Sequence, residues 1–374
     1  MALADAATAQ GMATRHKRSV KAVVAGVGEI NALLAKMIKG NRIKWGGYGT
    51  HALWYVRKLK ETSSWVTGQL GSRSFEEKDP MDEATVPYCF IDETYGVSEK
   101  SIKTNRAAGE MKLYDIQKEN ARNAQTALYR ALSASMYSDG TDALAPVGLP
   151  AIVGNAYETS DNVTAAASQS YAGIGLTDST GISAWNKDYA TQHWANEYWH
   201  PVAIDQAEIP SVPATPLWST HAIHFLQWMV HAMSRTADVS GTGRIIKPDM
   251  ALMATDTWSS LMSLLATSQK DVSGVPLGTT APELGNFVTV RVGGLDCVYD
   301  EEVPDDSGSK ERVFVLDSKA FYIDSLNTKS EGLIEGDWKM DDPKVVGGVG
   351  MYKANLSLIC ETPQAVGCIT GCDA

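Results

Sequence analysis

The sequence has few cysteines and no long hydrophobic run, and each shortage removes a class of protein. Its 374 residues contain five cysteines, an odd number with no Cys-x-x-Cys pair. This favours a protein of a reducing compartment over a secreted protein stabilised by disulfides. No apolar stretch approaches the roughly 20 residues that cross a bilayer, so we expect no membrane partner. The N-terminus lacks the layout of a secretory signal, because its basic residues follow its small residues. We therefore expect assembly inside a cell.

The motifs of common enzyme classes are also missing. The sequence has no Gly-x-Ser-x-Gly, no P-loop and no His-Glu-x-x-His. A glycine cluster at Gly347, Gly348 and Gly350 precedes a strand-like segment rather than a helix, so it does not match a dinucleotide-binding fingerprint. We therefore predict that the protein is not an enzyme and that it has no cofactor and no catalytic residue.

Residues 185–200 are the first window along the chain that suggests chemistry. A helix would place His193, Glu197 and His200 on one face, as in some metal sites. However, His200 precedes Pro201, and a residue before proline is pushed out of the helical conformation. We therefore predict no metal site here and interpret the aromatic residues of the window as packing or subunit contacts. These residues are Trp185, Trp194, Tyr198 and Trp199.

Other polar clusters also favour structural explanations. The histidines of one predicted helix, His221, His224 and His231, are interpreted as core or interface residues. Cys360 falls on the same strand face as Tyr352, Ala354, Leu356 and Leu358, which indicates a small core residue rather than a zinc ligand with Cys368 and Cys372. The acidic loop at residues 300–306 is predicted to be solvated or to lie between subunits.

Charge is distributed unevenly along the chain. Residues 1–60 carry eleven basic and two acidic residues, a net charge of +9, whereas the remainder carries −20. A basic arm on an acidic body indicates an acidic partner, which could be a neighbouring copy, nucleic acid or another protein. We predict contacts between copies for the basic residues of the arm: Arg15, Lys17, Arg18, Lys21, Lys36, Lys39, Arg42 and Lys44.

Hydrophobic periodicity predicts the main elements. Apolar residues recur at helical spacing over 18–38, a helix ended by Gly40, and a sparse stripe predicts one long helix over 101–139. Between them, the alternating runs near residues 51–58 and 86–91 show no clean apolar face and predict a thin β-arm.

The second half of the chain alternates predicted helices and strands. A helix begins near Trp218, a buried strand follows at "KPDMALMAT", and the next helix is capped by Thr255 or Asp256. Two strands flank Gly293 and Gly294, and strands close the chain after Gly347.

The order of these parts resembles the major capsid protein of tailed bacteriophages, which has the Hong Kong 97-like fold. Five segments carry the resemblance in the order expected for the family. They are "LYRALSASMYSDGTDALAPVGLPAIV", "SYAGIGLTDSTGISAWNKDY", "KPDMALMATDTWSSLMSLL", "VGGLDCVYDEEVP" with "RVFVLDSKAFYI", and "LSLICETPQAVGCITG". The resemblance covers roughly residues 20–372.

The resemblance implies an α+β fold made of named parts. These are an N-terminal arm (1–49), an extended β-hairpin loop (50–100), a peripheral domain (101–211 and 336–374) with a spine helix over 101–139, and an axial domain (212–335). In the extended loop it implies inter-subunit contacts by Trp54, Tyr55, Arg57, Lys58 and Trp65.

The resemblance also implies a function. Copies would form hexamers and pentamers of an icosahedral shell around double-stranded DNA, bound without sequence specificity. The virion would assemble in the bacterial cytoplasm with a portal protein and a separate scaffolding protein, because the chain before the arm is too short for a scaffolding segment. Two other classes remain: a metal-dependent hydrolase, or a carbohydrate-binding protein, using the region of His193, Trp194 and Glu197.

Overall fold

The computed structural model of the protein mixes helices and sheets along the chain, which confirms the predicted α+β class. It describes residues 32–57, 81–98, 110–153, 170–175, 199, 201–206, 217–234, 245–268, 289–306, 310–330, 332–339 and 347–372. Within these ranges, no helix combines the length and the apolarity that a bilayer crossing requires.

Five α-helices lie in the described ranges. They are α1 (Ala32–Lys39), α2 (Glu110–Ser135), α3 (Leu149–Val153), α4 (Trp218–Met233) and α5 (Thr255–Ser268). The prediction of a long helix is confirmed over the 26 residues of α2, which span about 39 Å. The helix predicted from Trp218 is likewise confirmed as α4, and α1 is the C-terminal part of the helix predicted over 18–38.

Sixteen strands also lie in the described ranges. They are β1 (Ile43–Trp45), β2 (His51–Arg57), β3 (Met81–Pro87), β4 (Cys89–Ser98), β5 (Ser170–Tyr171), β6 (Ile174–Gly175), β7 (Val202–Asp205), β8 (Met250–Met253), β9 (Thr289–Val292), β10 (Leu295–Tyr299), β11 (Asp305–Asp306), β12 (Lys310–Leu316), β13 (Phe321–Ser325), β14 (Glu335–Lys339), β15 (Gly347–Cys360) and β16 (Val366–Cys372). The predicted strands around Gly293 and Gly294 are β9 and β10, and both glycines have positive φ in the turn between them.

The first large sheet has five strands and is organised around β15. Lys353 of β15 pairs with Asp92 of β4 and with Glu335 of β14, so these two strands lie on opposite edges. β13 pairs with β15 on the same edge of β15 as β14 does, and β1 pairs with β13 in parallel. The predicted apolar face of β15 is confirmed, because its alternate side chains are buried: Tyr352, Ala354, Leu356, Leu358 and Cys360.

The second large sheet has seven strands in the order β7, β16, β12, β8, β10, β9, with β11 beside β12. Both of its faces are buried, which explains the uninterrupted apolar runs in its strands. One face packs against α4 and α5 through Ala251, Met253, Val313 and Val315. The other face joins the core shared with α2 through Leu252, Phe314 and Leu316.

The two sheets are interleaved along the chain. β12 and β13 are consecutive but belong to different sheets, and the same is true of β15 and β16. The chain therefore passes between the sheets at residues 317–320 and again at 361–365. These crossings do not coincide with the predicted domain boundaries at 211 and 335, which stay predictions.

α2 packs along the five-stranded sheet with a narrow stripe of apolar residues. Ala124, Leu128 and Leu132 are spaced by four and are buried against it. After the helix ends, the N–H of Leu149 donates to the carbonyl of Met136 at 2.8 Å. Gly148 makes this approach possible, because a Cβ there would collide with the backbone of Met136.

A residue of strand β12 caps the N-terminus of α5. This corrects the prediction that Thr255 or Asp256 caps the helix. Glu311 of β12 accepts the N–H of Asp256 at 3.2 Å and that of Thr257 at 2.7 Å. A carboxylate at this position satisfies orphan donors and complements the helix dipole. The capping residue lies more than fifty positions away in sequence, so local spacing could not identify it.

Candidate functional site

The antiparallel ribbon of β2 and β3 has two faces of different character. Its inner side chains are buried: Ala52, Val56, Ala84 and Val86. Its outer side chains include Leu53, Tyr55 and Met81, which are 48%, 64% and 53% exposed. The expectation that β2 lacks a clean apolar face is therefore wrong, because small residues at alternate positions pack inward. Apolar side chains on the outer face form a candidate contact surface.

Trp54 anchors the ribbon to the core of its own chain. Its indole N–H donates to the carbonyl of Glu361 at 3.4 Å, and its ring centre lies 6.3 Å from that of Tyr171 and 6.4 Å from that of Trp199. Trp199 is fully buried and donates its N–H to the carbonyl of Tyr171 at 3.2 Å. Trp54 thus anchors the ribbon within its own chain, its inter-subunit contact stays a prediction, and the structure places Trp199 in the core.

A polar cluster holds the base of the ribbon against β13. The hydroxyl of Tyr88 hydrogen-bonds the carboxylate of Asp324, and burial raises the pKa of Tyr88 to about 12. Burial also raises the pKa of Asp324 above its ordinary value. Lys44 Nζ lies 3.5 Å from the centre of the Tyr322 ring, a cation–π contact. Gly47 crosses this cluster so closely that a Cβ would collide with the Tyr88 hydroxyl.

Lys36, predicted to contact a neighbouring copy, forms an ion pair within its own chain. Its side chain is 7% exposed and its Nζ lies 3.0 Å from Asp249 Oδ2. The Asp249 carboxylate also accepts the N–H and hydroxyl of Ser318 at 2.8 and 2.7 Å. The charge of Lys36 is enclosed and neutralised where α1 meets the passage between the sheets, and its contact with a neighbouring copy stays a prediction.

The other described basic residues of the arm are more accessible. Lys39 is exposed at the end of α1. Arg42 is half-buried and donates from Nη1 to the carbonyl of Lys319 at 2.9 Å. Contacts between copies by Lys39, Arg42 and Lys44 stay predictions.

Many predicted site residues lie outside the described ranges. They are Arg15, Lys17, Arg18, Lys21, Lys58, Trp65, Trp185, Trp194 and Tyr198, together with His193, Glu197 and His200. Arg57 is the last residue of β2. The roles of these residues stay predictions.

The acidic loop after β10 begins with a buried carboxylate, which corrects the expectation of a solvated or inter-subunit loop at Asp300. Asp300 is 4% exposed and accepts the Tyr137 hydroxyl at 2.8 Å and the N–H of Glu302 at 3.1 Å. Burial raises the pKa of Asp300 to about 6, although both hydrogen bonds lower it. Because Tyr137 follows α2, this bond ties the end of the long helix to the seven-stranded sheet.

The described residues provide no candidate metal centre. Among them, no group of three or more His, Cys, Asp or Glu side chains could hold a metal ion. His221 and His224 are half-buried beside Phe225, and His231 is exposed. All five cysteines are buried and form no disulfide. The prediction that Cys360 is a small core residue is confirmed, since it is fully buried and its thiol donates to the Thr362 carbonyl at 3.0 Å.

Comparison with known proteins finds similar structures but no family model and no curated protein that match. The chain is similar to the capsid of a native GTA particle, with 13% identity over 91% of both chains and a TM-score of 0.48. It is similar to the capsid of cyanophage P-SCSP1u, with 11% identity over 89% of this chain and 86% of that chain and a TM-score of 0.48. The capsid of cyanophage Pam1 shows 12% identity over 88% and 87%, with a TM-score of 0.45. All three are capsid structures, the class of protein that the sequence resembles.

Proposed function

We propose that the protein is the major capsid protein of a tailed bacteriophage. Its copies assemble into hexamers and pentamers, which close an icosahedral shell around double-stranded DNA. The resemblance of five ordered sequence segments to that family supports the proposal. The parts of the chain agree with it: a long helix packed along a central sheet, and a ribbon that continues from an edge strand of that sheet.

The outer face of the ribbon is the observation that carries the proposal. Leu53, Tyr55 and Met81 expose apolar surface on a two-stranded element, and such a ribbon is marginally stable alone in water. A neighbouring copy that covers these side chains would remove the surface from water and join the two subunits. The ribbon then serves as a connector between copies, as the resemblance implies for the extended loop.

Electron microscopy and size-exclusion chromatography of the purified full chain test this function. We expect capsomers or larger particles from the wild type. The variant Leu53→Glu/Tyr55→Glu should lower the assembled fraction at least tenfold, because two charges would have to be buried at the contact. The variant Ser219→Glu, at an exposed site on α4, is the matched control and should assemble normally. A wild-type chain that stays monomeric under all conditions overturns the proposal.

The partners of the shell extend this proposal. A separate scaffolding protein should direct closure, a portal protein should occupy one vertex, and the packaged DNA should be bound without sequence specificity. Assembly would take place in the cytoplasm of the bacterial host, and the product would be the virion capsid. Expression of this chain alone should then yield irregular assemblies, whereas closed shells of uniform size would remove the need for a scaffolding protein.

A further inference from the structure

Three segments that are distant in sequence meet where the chain passes between the two sheets. The two carboxylate oxygens of Asp317 accept backbone N–H groups, one from Lys247 and one from Lys319, each at 3.1 Å. Arg42 Nη1 donates to the carbonyl of Lys319 at 2.9 Å. The side chains of Lys247 and Lys319 are exposed, whereas Asp317 is only 2% exposed. Arg42, Lys247 and Lys319 therefore form a basic surface over a buried carboxylate.

Lys39 and Lys44 extend the basic surface along the chain on either side of Arg42. Both are exposed. Lys44 lies two residues after Arg42, and its Nζ is 3.5 Å from the centre of the Tyr322 ring. Lys44 therefore reaches over β13, just as Arg42 reaches over the turn that precedes β13.

The charge of these segments is positive, although the chain as a whole is acidic. Residues 39–44, 245–249 and 317–320 contain five Lys or Arg and two Asp, a net charge of +3 in a chain of net charge −11. Of the two carboxylates, Asp249 is paired with a buried lysine of α1 and Asp317 is enclosed. The exposed charged side chains of the three segments are therefore all basic.

Two further carboxylates border the surface, and both are only half-exposed. Asp324 lies opposite Lys44 in the register of β1 and β13, and it accepts a hydrogen bond from Tyr88. The N–H of Glu361 donates to the carbonyl of Ala320 at 3.0 Å, which places Glu361 beside the same turn. The more exposed charges are still those of the lysines.

This arrangement favours a phosphate backbone over a protein as the partner. Protein–protein interfaces usually have apolar and aromatic side chains at their centre and few lysines. Here Arg42, Lys247 and Lys319 occupy the centre, and the exposed apolar residue Ile245 lies two positions before Lys247. Duplex DNA carries one negative charge per about 1.7 Å of its axis, so it can meet several cations at once without an apolar anchor.

We infer that the basic surface binds the phosphate backbone of the packaged double-stranded DNA, an inference that rests on the proposed function. Phosphate contacts carry no sequence information, so the affinity should not depend on the base sequence. Each lysine or arginine that neutralises a phosphate releases a counterion. The affinity should therefore fall steeply as the salt concentration rises.

Fluorescence anisotropy of a short labelled DNA duplex tests the inference on the purified full chain, at a protein concentration too low for assembly. Lys247→Gln/Lys319→Gln should weaken binding about tenfold and lower the slope of log affinity against log salt by about 2. The two backbone N–H groups that bind Asp317 remain in this variant, so the turn should keep its fold. Binding unchanged from the wild type would overturn the inference.

A matched control separates the surface from net charge. Arg130→Gln/Lys329→Gln removes the same charge from two exposed sites, on α2 and in the loop after β13, and should bind DNA as the wild type does. Equal weakening by the two double variants would overturn the inference, because net charge alone would then explain binding.

Polyglutamate, added at the same total charge as the DNA, tests for an acidic protein partner. It should compete at least fivefold less well than unlabelled duplex, because its charges are spaced more widely along the chain. Equal competition would assign the surface to an acidic polypeptide and overturn the inference.

Nuclease protection separates this inference from the proposed function. Shells assembled in the presence of the duplex should retain protected DNA, and shells of Lys247→Gln/Lys319→Gln should retain at least threefold less. Normal particles whose bound DNA is fully digested would overturn the inference and leave the capsid function intact, because the surface would then face outward. A wild-type chain that never assembles would overturn the capsid function, and with it the assignment to packaged DNA.

Discussion

The two large sheets of this chain differ in how completely they are covered. The seven-stranded sheet is buried on both faces, between α4 and α5 on one side and the core shared with α2 on the other. On the five-stranded sheet α2 covers one face, and the ribbon covers part of the other at Tyr322 and Ile359. Among the described residues, that other face also retains the exposed side chains of Phe90, Asp92 and Thr94. The ribbon continues from this half-covered sheet and also exposes apolar side chains.

This difference separates the part of the chain that is complete by itself from the part that offers surface to others. Apolar area buried within one chain stabilises that chain in isolation, whereas exposed apolar area contributes only when a partner covers it. Substitutions in the seven-stranded sheet should therefore act on folding. Substitutions on the open face and the ribbon should act on assembly.

The largest effect on folding is expected from Phe314→Ala in the seven-stranded sheet. Phe314 is 1% exposed and packs against the Tyr137 ring, with ring centres 6.1 Å apart. Truncation to alanine should lower the free energy of unfolding by about 3–5 kcal/mol, measured by urea denaturation. Phe90→Ala, on the open face of the other sheet, is the matched control and should change it by less than about 0.5 kcal/mol. Equal losses of unfolding free energy in Phe314→Ala and Phe90→Ala would contradict the proposed difference between the two sheets.

The next largest effect is a pH dependence from Asp300, at the junction of α2 with the seven-stranded sheet. Its folded pKa of about 6 lies above the ordinary value of 3.8 because burial disfavours the charge. The stability it contributes is therefore fully present below pH 4 and is lost as pH rises through 6. Relative to Asp300→Asn, the wild type should lose about 3 kcal/mol of unfolding free energy between pH 4 and pH 7.

Two variants control that measurement. Urea denaturation at several pH values should show that the free energy of unfolding falls less with rising pH in Asp300→Asn than in the wild type. The other titrating groups are the same in both proteins, so the difference reports on Asp300. Tyr137→Phe removes a hydrogen bond that favours the ionised carboxylate, so the folded pKa should rise and the loss should extend to a higher pH. Identical profiles for the wild type and Asp300→Asn would contradict the assignment.

A smaller effect is expected from Glu311→Ala, which removes the cap of α5. The N–H groups of Asp256 and Thr257 would lose their acceptor in a buried setting, at a cost of about 2 kcal/mol in unfolding free energy. Asp256→Ala should cost less, because Asp256 is exposed and acts only through the helix dipole. If Asp256→Ala lowered the free energy of unfolding more than Glu311→Ala, the result would support the local cap that the sequence predicts.

The smallest effect concerns the ion pair where α1 reaches the passage between the sheets. Lys36→Met should lower the free energy of unfolding by about 1–2 kcal/mol, because it leaves the Asp249 carboxylate without its cation. Lys39→Met removes an exposed charge and should have almost no effect on denaturation. If Lys36→Met instead impaired assembly without changing stability, the result would favour the predicted contact between copies.

Local sequence patterns predicted elements well where the signal lies within one segment. The helix Trp218–Met233, the buried strand Met250–Met253 and the strands around Gly293 and Gly294 are where the pattern indicates. The alternation in β15 also predicted which of its side chains face the core. In each case, burial of one face requires a fixed period of apolar residues, and that period is visible along the chain.

Contacts between distant segments could not be predicted from such local patterns. Glu311 caps α5, Tyr137 binds Asp300, and Lys36 pairs with Asp249, all across more than fifty residues. The basic surface over Asp317 likewise combines three segments that are distant in sequence. No residue type or spacing in any one of these segments indicates its partner.

For this protein, the sequence by itself determined the element types, the long helix, the uneven charge and the order of parts that resembles a capsid protein. Only the tertiary structure decided which strands share a sheet, which basic residues are enclosed, and which apolar side chains stay exposed. The physical reason is that periodicity encodes burial of a face within one element. The partner that covers that face is chosen by packing between elements, and in an assembling protein by packing between copies.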